Sequence, residues 1–170
     1  MTGVPLAEGS RACALRVRVA TPDDLAALAP LFDAYRQFYD QPADLPRAEQ
    51  FLRDRMARGE SVVLVAEDDA GGLRGFCQLY PSFCSVEAVP IGVLYDLFVH
   101  PDARRLGAGA LLLQAAERHA ARQGMVRMDL TTARTNLAAQ ALYESLGWVK
   151  DRVFLAYGKR VDPALSTAAE

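Results

Sequence analysis

Short apolar runs with strand character alternate along this chain with longer stretches of helical period, and two of the runs are joined by a tight turn. Residues 61–67, Ser-Val-Val-Leu-Val-Ala-Glu, form an unbroken apolar stretch of strand length. Asp68-Asp69-Ala70-Gly71-Gly72 reads as a turn, and 73–80 returns as the hairpin partner. A loop is expected over 81–90, then a third strand over 91–99, broken only by Asp96. Hairpins and helix-separated strands in one chain predict an α/β fold of the α+β mixed kind. The expected sheet is mixed but mostly antiparallel, with six to seven strands and helices on both faces.

The remaining elements follow from local signals. Thr21-Pro22-Asp23-Asp24 has Thr as cap, Pro at the first helical position and Asp three residues after the cap, so a helix runs from here to about Tyr39. Further helices are expected over 47–58, ended by Gly59, over 107–123, and from Thr135 or Asn136 to Gly147. Strands are expected over 16–20, over 125–131, where Val126, Met128 and Leu130 alternate with Arg127, Asp129 and Thr131, and over 153–157. A further strand near Trp148 would make seven.

The length of 170 residues fits one domain, placed at 16–160 between tails at 1–15 and 161–170. With 51% hydrophobic and 24% charged residues the chain is not of the disordered class. A net charge of −2 excludes a nucleic-acid binder that works by bulk positive charge. Of the 19 basic residues only Lys150 and Lys159 are lysines, so the positions of the arginines carry information about anion binding. No apolar run approaches the ~20 residues of a membrane helix, and residues 1–20 lack the apolar centre of a signal peptide. A cytoplasmic protein with neither membrane nor nucleic-acid partners is expected. Cys13, Cys77 and Cys84 contain no CxxC pair and read as free thiols, and with two histidines no metal site is expected.

The stretch that carries chemistry is 95–113, Tyr-Asp-Leu-Phe-Val-His-Pro-Asp-Ala-Arg-Arg-Leu-Gly-Ala-Gly-Ala-Leu-Leu-Leu. A strand ends at Val99, a loop bears Arg104 and Arg105, and Gly107 and Gly109 open a helix. Helix-opening N–H groups lack internal partners, glycine lets a ligand approach the backbone, and the helix dipole and the guanidinium groups both favour an anion. The combination is a phosphate or pyrophosphate cradle over 104–110. A P-loop is excluded because no Gly-Lys-Ser/Thr follows. A dinucleotide fingerprint fits poorly: its third glycine position is Leu112, and Asp129 sits inside a strand.

Arg104-Arg105-Leu106-Gly107-Ala108-Gly109 resembles the Arg/Gln-x-x-Gly-x-Gly/Ala motif of the GNAT superfamily, the acetyl-CoA-dependent N-acetyltransferases. Asn136-Leu-Ala-Ala139-Gln140-Ala-Leu-Tyr143-Glu-Ser-Leu-Gly147-Trp148 resembles the second motif of that family, and the order of elements is similar over nearly the whole chain. Residues 31–39 and 79–83 further resemble a bacterial branch similar to the yeast histone and polyamine acetyltransferases. The resemblance implies a GNAT fold, acetyl-CoA as co-substrate without a metal, an amine acceptor and a homodimer. It implies that CoA is held by Arg104, Arg105, Leu106, Gly107, Ala108, Gly109 and Ala110, by the strand positions Leu97, Phe98 and Val99, and by Asn136, Ala139 and Tyr143. It also implies that Tyr143 is the general acid toward the leaving thiolate, and places the acceptor pocket beside the first helix pair, with Tyr35, Phe38, Tyr39 and Tyr80. An apolar strand over 153–157 at an open sheet edge would favour the homodimer independently.

Helical geometry supports the second motif: Asn136 and Tyr143, seven apart, differ by about 20° around the axis, away from the stripe of Ala138, Leu142 and Leu146. The general base is open among Asp96, Glu87, water and an amine that arrives neutral. Asp96 is the one carboxylate of the central strand, although alternation could turn it to the wrong face. His100 reads as a solvated or capping residue, His119 as a core-edge residue, and Cys77 and Cys84 as unactivated thiols. A protein of the same fold that holds acyl-CoA as a sensor without turnover is the alternative function.

Overall fold

The computed structural model describes residues 14–163. They form two compact units, one up to Asn136 and one from Leu137. Most of the tail expected over 1–15, with Cys13, and most of that over 161–170 lie outside the described residues.

In the first unit the chain runs β1 (Arg16–Val19), α1 (Leu25–Phe38), α2 (Leu45–Arg58), β2 (Val62–Glu67), β3 (Leu73–Cys84), β4 (Val89–Val99), α3 (Ala108–Arg122) and β5 (Met128–Asp129). The strands lie in the order β1-β2-β3-β4-β5. The first four pair antiparallel, and β5 joins β4 in parallel. The mixed, mostly antiparallel sheet is as expected, with five strands rather than six or seven.

Local chemistry sets the element ends. The Asp24 carboxylate accepts the Thr21 N–H at 2.7 Å, closing the turn that leads into α1. Asp44 caps α2 by accepting from the Arg47 N–H at 3.1 Å, and Gly59 ends it with φ 62°, a left-handed value that glycine adopts without penalty. The two faces of the sheet are covered by different helices. Leu28, Ala29, Phe32, Ala48 and Leu52 of α1 and α2 pack with Val63, Val65, Phe76 and Phe98. Leu64, Ala66, Cys77 and Leu79 alternate to the other face, where α3 buries Leu112, Leu113 and Ala116.

Two expectations are corrected. The segment 81–90 is not a loop: β3 continues to Cys84 and β4 starts at Val89. Pro81 is tolerated because it pairs with Gly92 where its nitrogen faces away from β4, and the pairing with β2 has already ended at Val62↔Leu79, so no ladder bond is lost. Residues 153–157 form no strand, and Val153, Phe154, Leu155 and Tyr157 are exposed. Apolar composition alone predicted a strand there, but a strand needs a ladder partner, and among the described residues none pairs with this segment.

Gly75 lies opposite Val99 in the pairing of β3 with β4. A Cβ there would lie 2.7 Å from the Phe98 carbonyl oxygen and 3.2 Å from the Val99 Cα, both backbone atoms that cannot swing aside. Gly75→Ala is therefore expected to destabilise the protein by about 1–3 kcal/mol, as overpacking does. Chemical denaturation checks this, and an unchanged midpoint would show that the two strands can part.

Candidate active site

The register of β3 against β4 runs from Gly75↔Val99 to Gln78↔Asp96 and resumes at Leu79↔Leu94. Tyr95 is thus an extra residue on β4, a β-bulge. The pairing of β4 with β5 covers only Gly92↔Met128 and Val93↔Asp129. From the bulge onward β4 has a ladder with β3 alone. The His100 N–H donates to the Arg74 carbonyl at 2.9 Å. Alternation along an antiparallel ladder then turns the N–H groups of Phe98 and Asp96 to β3, and those of Leu97 and Val99 to the open side.

The chain next reaches the Arg-rich turn. Pro101–Ala103 form one 3-10 turn, in which the His100 ring accepts from the Asp102 N–H at 3.4 Å, so His100 is a capping residue. Arg104 donates to the Val99 carbonyl at 3.3 Å and is exposed, as are Arg105 and Leu106. Arg105 has φ 66° and Gly107 φ 81°. A left-handed arginine costs backbone energy of the kind that clusters at functional turns. No side chain caps α3, and its first intrahelical bond is from the Leu111 N–H to the Gly107 carbonyl at 3.1 Å. The N–H groups of Ala108, Gly109 and Ala110 therefore precede the ladder and point out of the helix start. Ala108 is buried and Gly109 and Ala110 half-buried, so the backbone is the surface on offer. Uncapped donors, a helix dipole and two guanidinium groups fit a pyrophosphate.

On the α1–α2 face of the same strand lies Asp96. It follows the alternation of Phe76, Gln78 and Phe98, so it does not point to the α3 side. It is buried, with 6% of its surface exposed. Burial raises its carboxyl to about 6, an effect partly offset by a hydrogen bond from the Tyr35 hydroxyl. Burial together with this carboxylate pushes the Tyr35 hydroxyl well up and that of Tyr80 to about 12. Tyr35 stands edge-on to Tyr39 at 5.2 Å, and Tyr80 edge-on to Tyr95 at 6.0 Å. Phe38 lies at the outer end, exposed and edge-on to Tyr39 at 5.2 Å. The structure thus gathers Tyr35 and Tyr80 around one buried acid, with Tyr39 and Phe38 at the rim. Glu87, the other carboxylate considered, sits at the β3–β4 turn and pairs with Arg127 at 2.8 Å.

Gln78 and Ser61 were not visible as site residues from sequence. The Gln78 Nε2 donates to the Ser61 Oγ at 2.6 Å, and both side chains are buried. The available signal was a polar residue on the apolar face of the run Phe76-Cys77-Gln78-Leu79-Tyr80.

The other reactive groups are quiet. Burial pushes the Cys77 thiol up to about 12, and its Sγ donates to the Leu112 carbonyl at 3.7 Å. His119 is half-buried and pushed down by burial and by Arg122; it lines a cavity of about 220 Å³ with Leu79, Pro81 and Met125. Among the described residues no group of His, Cys, Asp and Glu is placed to hold a metal ion.

The second unit contains α4 (Leu137–Ser145). Its end explains the Gly-aromatic pair of the second motif: Gly147 has φ 85°, its N–H donates to Glu144, and the Trp148 N–H reaches back to the Tyr143 carbonyl at 3.1 Å. This is a Schellman stop, which needs a residue that tolerates the left-handed region. The Tyr143 and Trp148 rings lie 6.1 Å apart. Ala139 is in the first turns of α4. Asn136 directly precedes the helix, its N–H donating to Ala133 at 3.0 Å.

Residues 26–148 match the acetyltransferase (GNAT) family. An uncharacterized N-acetyltransferase of Bacillus subtilis strain 168, YhfO, is 46% identical over 143 residues, which cover 84% of this chain and 95% of that protein. A crystal structure of a probable acetyltransferase is 39% identical with a TM-score of 0.81, over 86% of this chain and 98% of that one. AAC(6')-Iy, solved with the bisubstrate analog CoA-S-monomethyl-acetylneamine, has the same fold at 19% identity and a TM-score of 0.73, over 87% of this chain and 99% of that one. With a bulged central strand, an uncapped Gly-opened helix and a family match that spans both motifs, the chain belongs to the GNAT family of acetyl-CoA-dependent N-acetyltransferases.

Proposed function

We propose that the protein transfers the acetyl group of acetyl-CoA to a primary amine of a small molecule or protein by direct attack within a ternary complex. One domain over 16–160 carries the reaction. The observation that carries the reading is the parting of β4 from β5 after Val93, with the uncapped start of α3 on one side and the buried acid on the other. Acetyl-CoA supplies a thioester carbonyl open to attack by an amine.

The chain's own groups have these roles. Arg104, Arg105 and the backbone of 106–110 hold the pyrophosphate. The N–H groups of Leu97 and Val99, with the intervening Phe98, line the path of the pantetheine arm and stabilise negative charge on the acetyl oxygen. Asn136, Ala139 and Tyr143 complete the CoA site, and the Tyr143 hydroxyl delivers a proton to the departing sulfur. Asp96 removes a proton from the acceptor ammonium, and a carboxyl poised near 6 suits a base that works at neutral pH. Tyr35, Tyr39, Phe38 and Tyr80 surround the acceptor, and their rings favour a cation.

A panel of polyamines, aminoglycosides, amino acids and peptides, each with acetyl-CoA, tests the reading through acetylated product and released thiol. Binding of CoA with no product from any amine would instead support a sensor. The cradle is tested separately. Gly109→Leu is expected to weaken CoA binding by about 100-fold or more, about 2.7 kcal/mol, because its side chain would occupy the space of the phosphate. Helix propensity favours leucine over glycine, so the melting temperature should not fall. Unchanged affinity by calorimetry would move the pyrophosphate elsewhere.

We also propose a cytoplasmic homodimer. No helix among the described residues is long and apolar enough to cross a membrane. The exposed apolar run over 153–157 supports a partner surface, no longer as a sheet edge. A monomer by light scattering at micromolar concentration would overturn the dimer.

A further inference from the structure

Gln78 presents a problem that the reaction as proposed does not solve. Its side chain is fully buried, its Nε2 is committed to the Ser61 Oγ at 2.6 Å, and its Oε1 has no hydrogen-bond partner. Leaving a buried acceptor unmade is destabilising. Gln78 is also the direct cross-strand partner of Asp96, one step before the bulge. Side chains so paired on one face have Cβ atoms about 4.5–5.5 Å apart. A carboxylate and an amide oxygen are both acceptors, so they cannot bond while Asp96 is charged. They can bond once Asp96 carries a proton.

We infer that Gln78, anchored by Ser61, is a positioning residue for Asp96: its side-chain oxygen accepts the hydrogen bond of the Asp96 carboxyl when that carboxyl holds the proton taken from the acceptor amine. The inference rests on the reading of Asp96 as base. In the step, an N–H bond of the ammonium breaks and its electron pair stays on nitrogen as the attacking lone pair. An O–H bond forms on Asp96, and this O–H donates to Gln78 while the Tyr35 hydroxyl continues to donate to the carboxyl. Being buried, Gln78 does not touch the acceptor; it acts by giving the protonated acid a place to point. Burial is what raises the Asp96 carboxyl, with the Tyr35 hydroxyl opposing it; a bond from the protonated acid to Gln78 acts in the same direction as burial. The other groups around it are Tyr35 from α1, Cys77 and Tyr80 from β3 and Tyr95 from β4, with Arg55 and Glu60 beside Tyr80.

The test is a carbon-13 NMR titration of the aspartate carboxyls in the full chain, with no ligand present, and with Asp96→Asn to assign the signal. In Gln78→Met, which keeps the volume and removes the amide, the Asp96 midpoint should fall by about one pH unit. Ser61→Ala, which frees the amide from its anchor, should move it the same way by less. An unmoved midpoint overturns the inference, and so does a rise, which would mean that the Nε2 faces the carboxylate. If Gln78→Met does not fold, Ser61→Ala decides by the same criterion. In turnover with any amine active in the panel, the acid limb of kcat/KM should follow the titration, which a purely structural role would not produce. The two readings fail differently. Full activity in Asp96→Asn removes the base and this inference together; loss of activity there, with an unmoved midpoint in Gln78→Met, removes the inference alone.

Discussion

Tyr143→Phe is expected to lower kcat by about 10²–10⁴, the range of general acid catalysis, with little change in the KM for acetyl-CoA. The substitution keeps the ring, and with it the contact to Trp148 at 6.1 Å. The role proposed for the hydroxyl is in the departure of the sulfur. An interaction stronger in the transition state than in the ground state lowers kcat and spares binding. A smaller loss in steady-state rates has two origins, replacement by water or a rate limited by product release. Pre-steady-state kinetics separates them. A chemical step of unchanged rate in the Phe variant would end the assignment.

Asp96→Asn is expected to reduce kcat/KM for the amine by about 10²–10⁴ at pH 8 and at the same time to make the fold more stable. An unfolded aspartate titrates near 3.8 and the native Asp96 near 6. The native state therefore binds the proton more tightly than the unfolded state. The stabilisation is fully present below the unfolded value and is lost as pH rises through about 6. Above that, a charge sits in a poorly solvated place. At about 1.4 kcal/mol per tenfold, the cost at pH 8 is about 3 kcal/mol, and asparagine does not bear it. Denaturant unfolding should show the variant ahead of the wild type at pH 8 and nearly level with it at pH 4. A stability difference independent of pH would mean that Asp96 is not raised. Retained activity would hand the base role to water or to a neutral amine.

The two effects together describe a site kept at a cost in stability. Arg105, left-handed at 66° without being glycine, and Gln78, buried with an acceptor unmade, carry further costs in stability.

The parts of the protein that depend on near neighbours in the chain were legible in the sequence. Thr21 and Asp24, Gly59, the turn at 68–72 and the Gly-opened α3 are set by contacts within a few residues, and composition and period report such contacts. The turn proposed to hold the pyrophosphate was readable for the same reason: it is one continuous stretch. What failed was pairing. Pro81 looked like the start of a loop, and only the register against Gly92 makes it harmless within a strand. The run at 153–157 looked like a strand and has no ladder.

The sequence by itself determined the order of the elements as far as α4, the turn at 21–24, the end of α2 at Gly59, the Gly-opened start of α3 and, through two contiguous motifs, the family. The tertiary structure alone decided which face of β4 carries Asp96, that the strand is bulged at Tyr95, and that Tyr35, Tyr80 and Gln78 surround the acid. Those facts depend on a register shift of one residue between β3 and β4 and on the packing of α1 over the sheet. A one-residue shift reverses the side that a side chain faces, and no local pattern records where it falls.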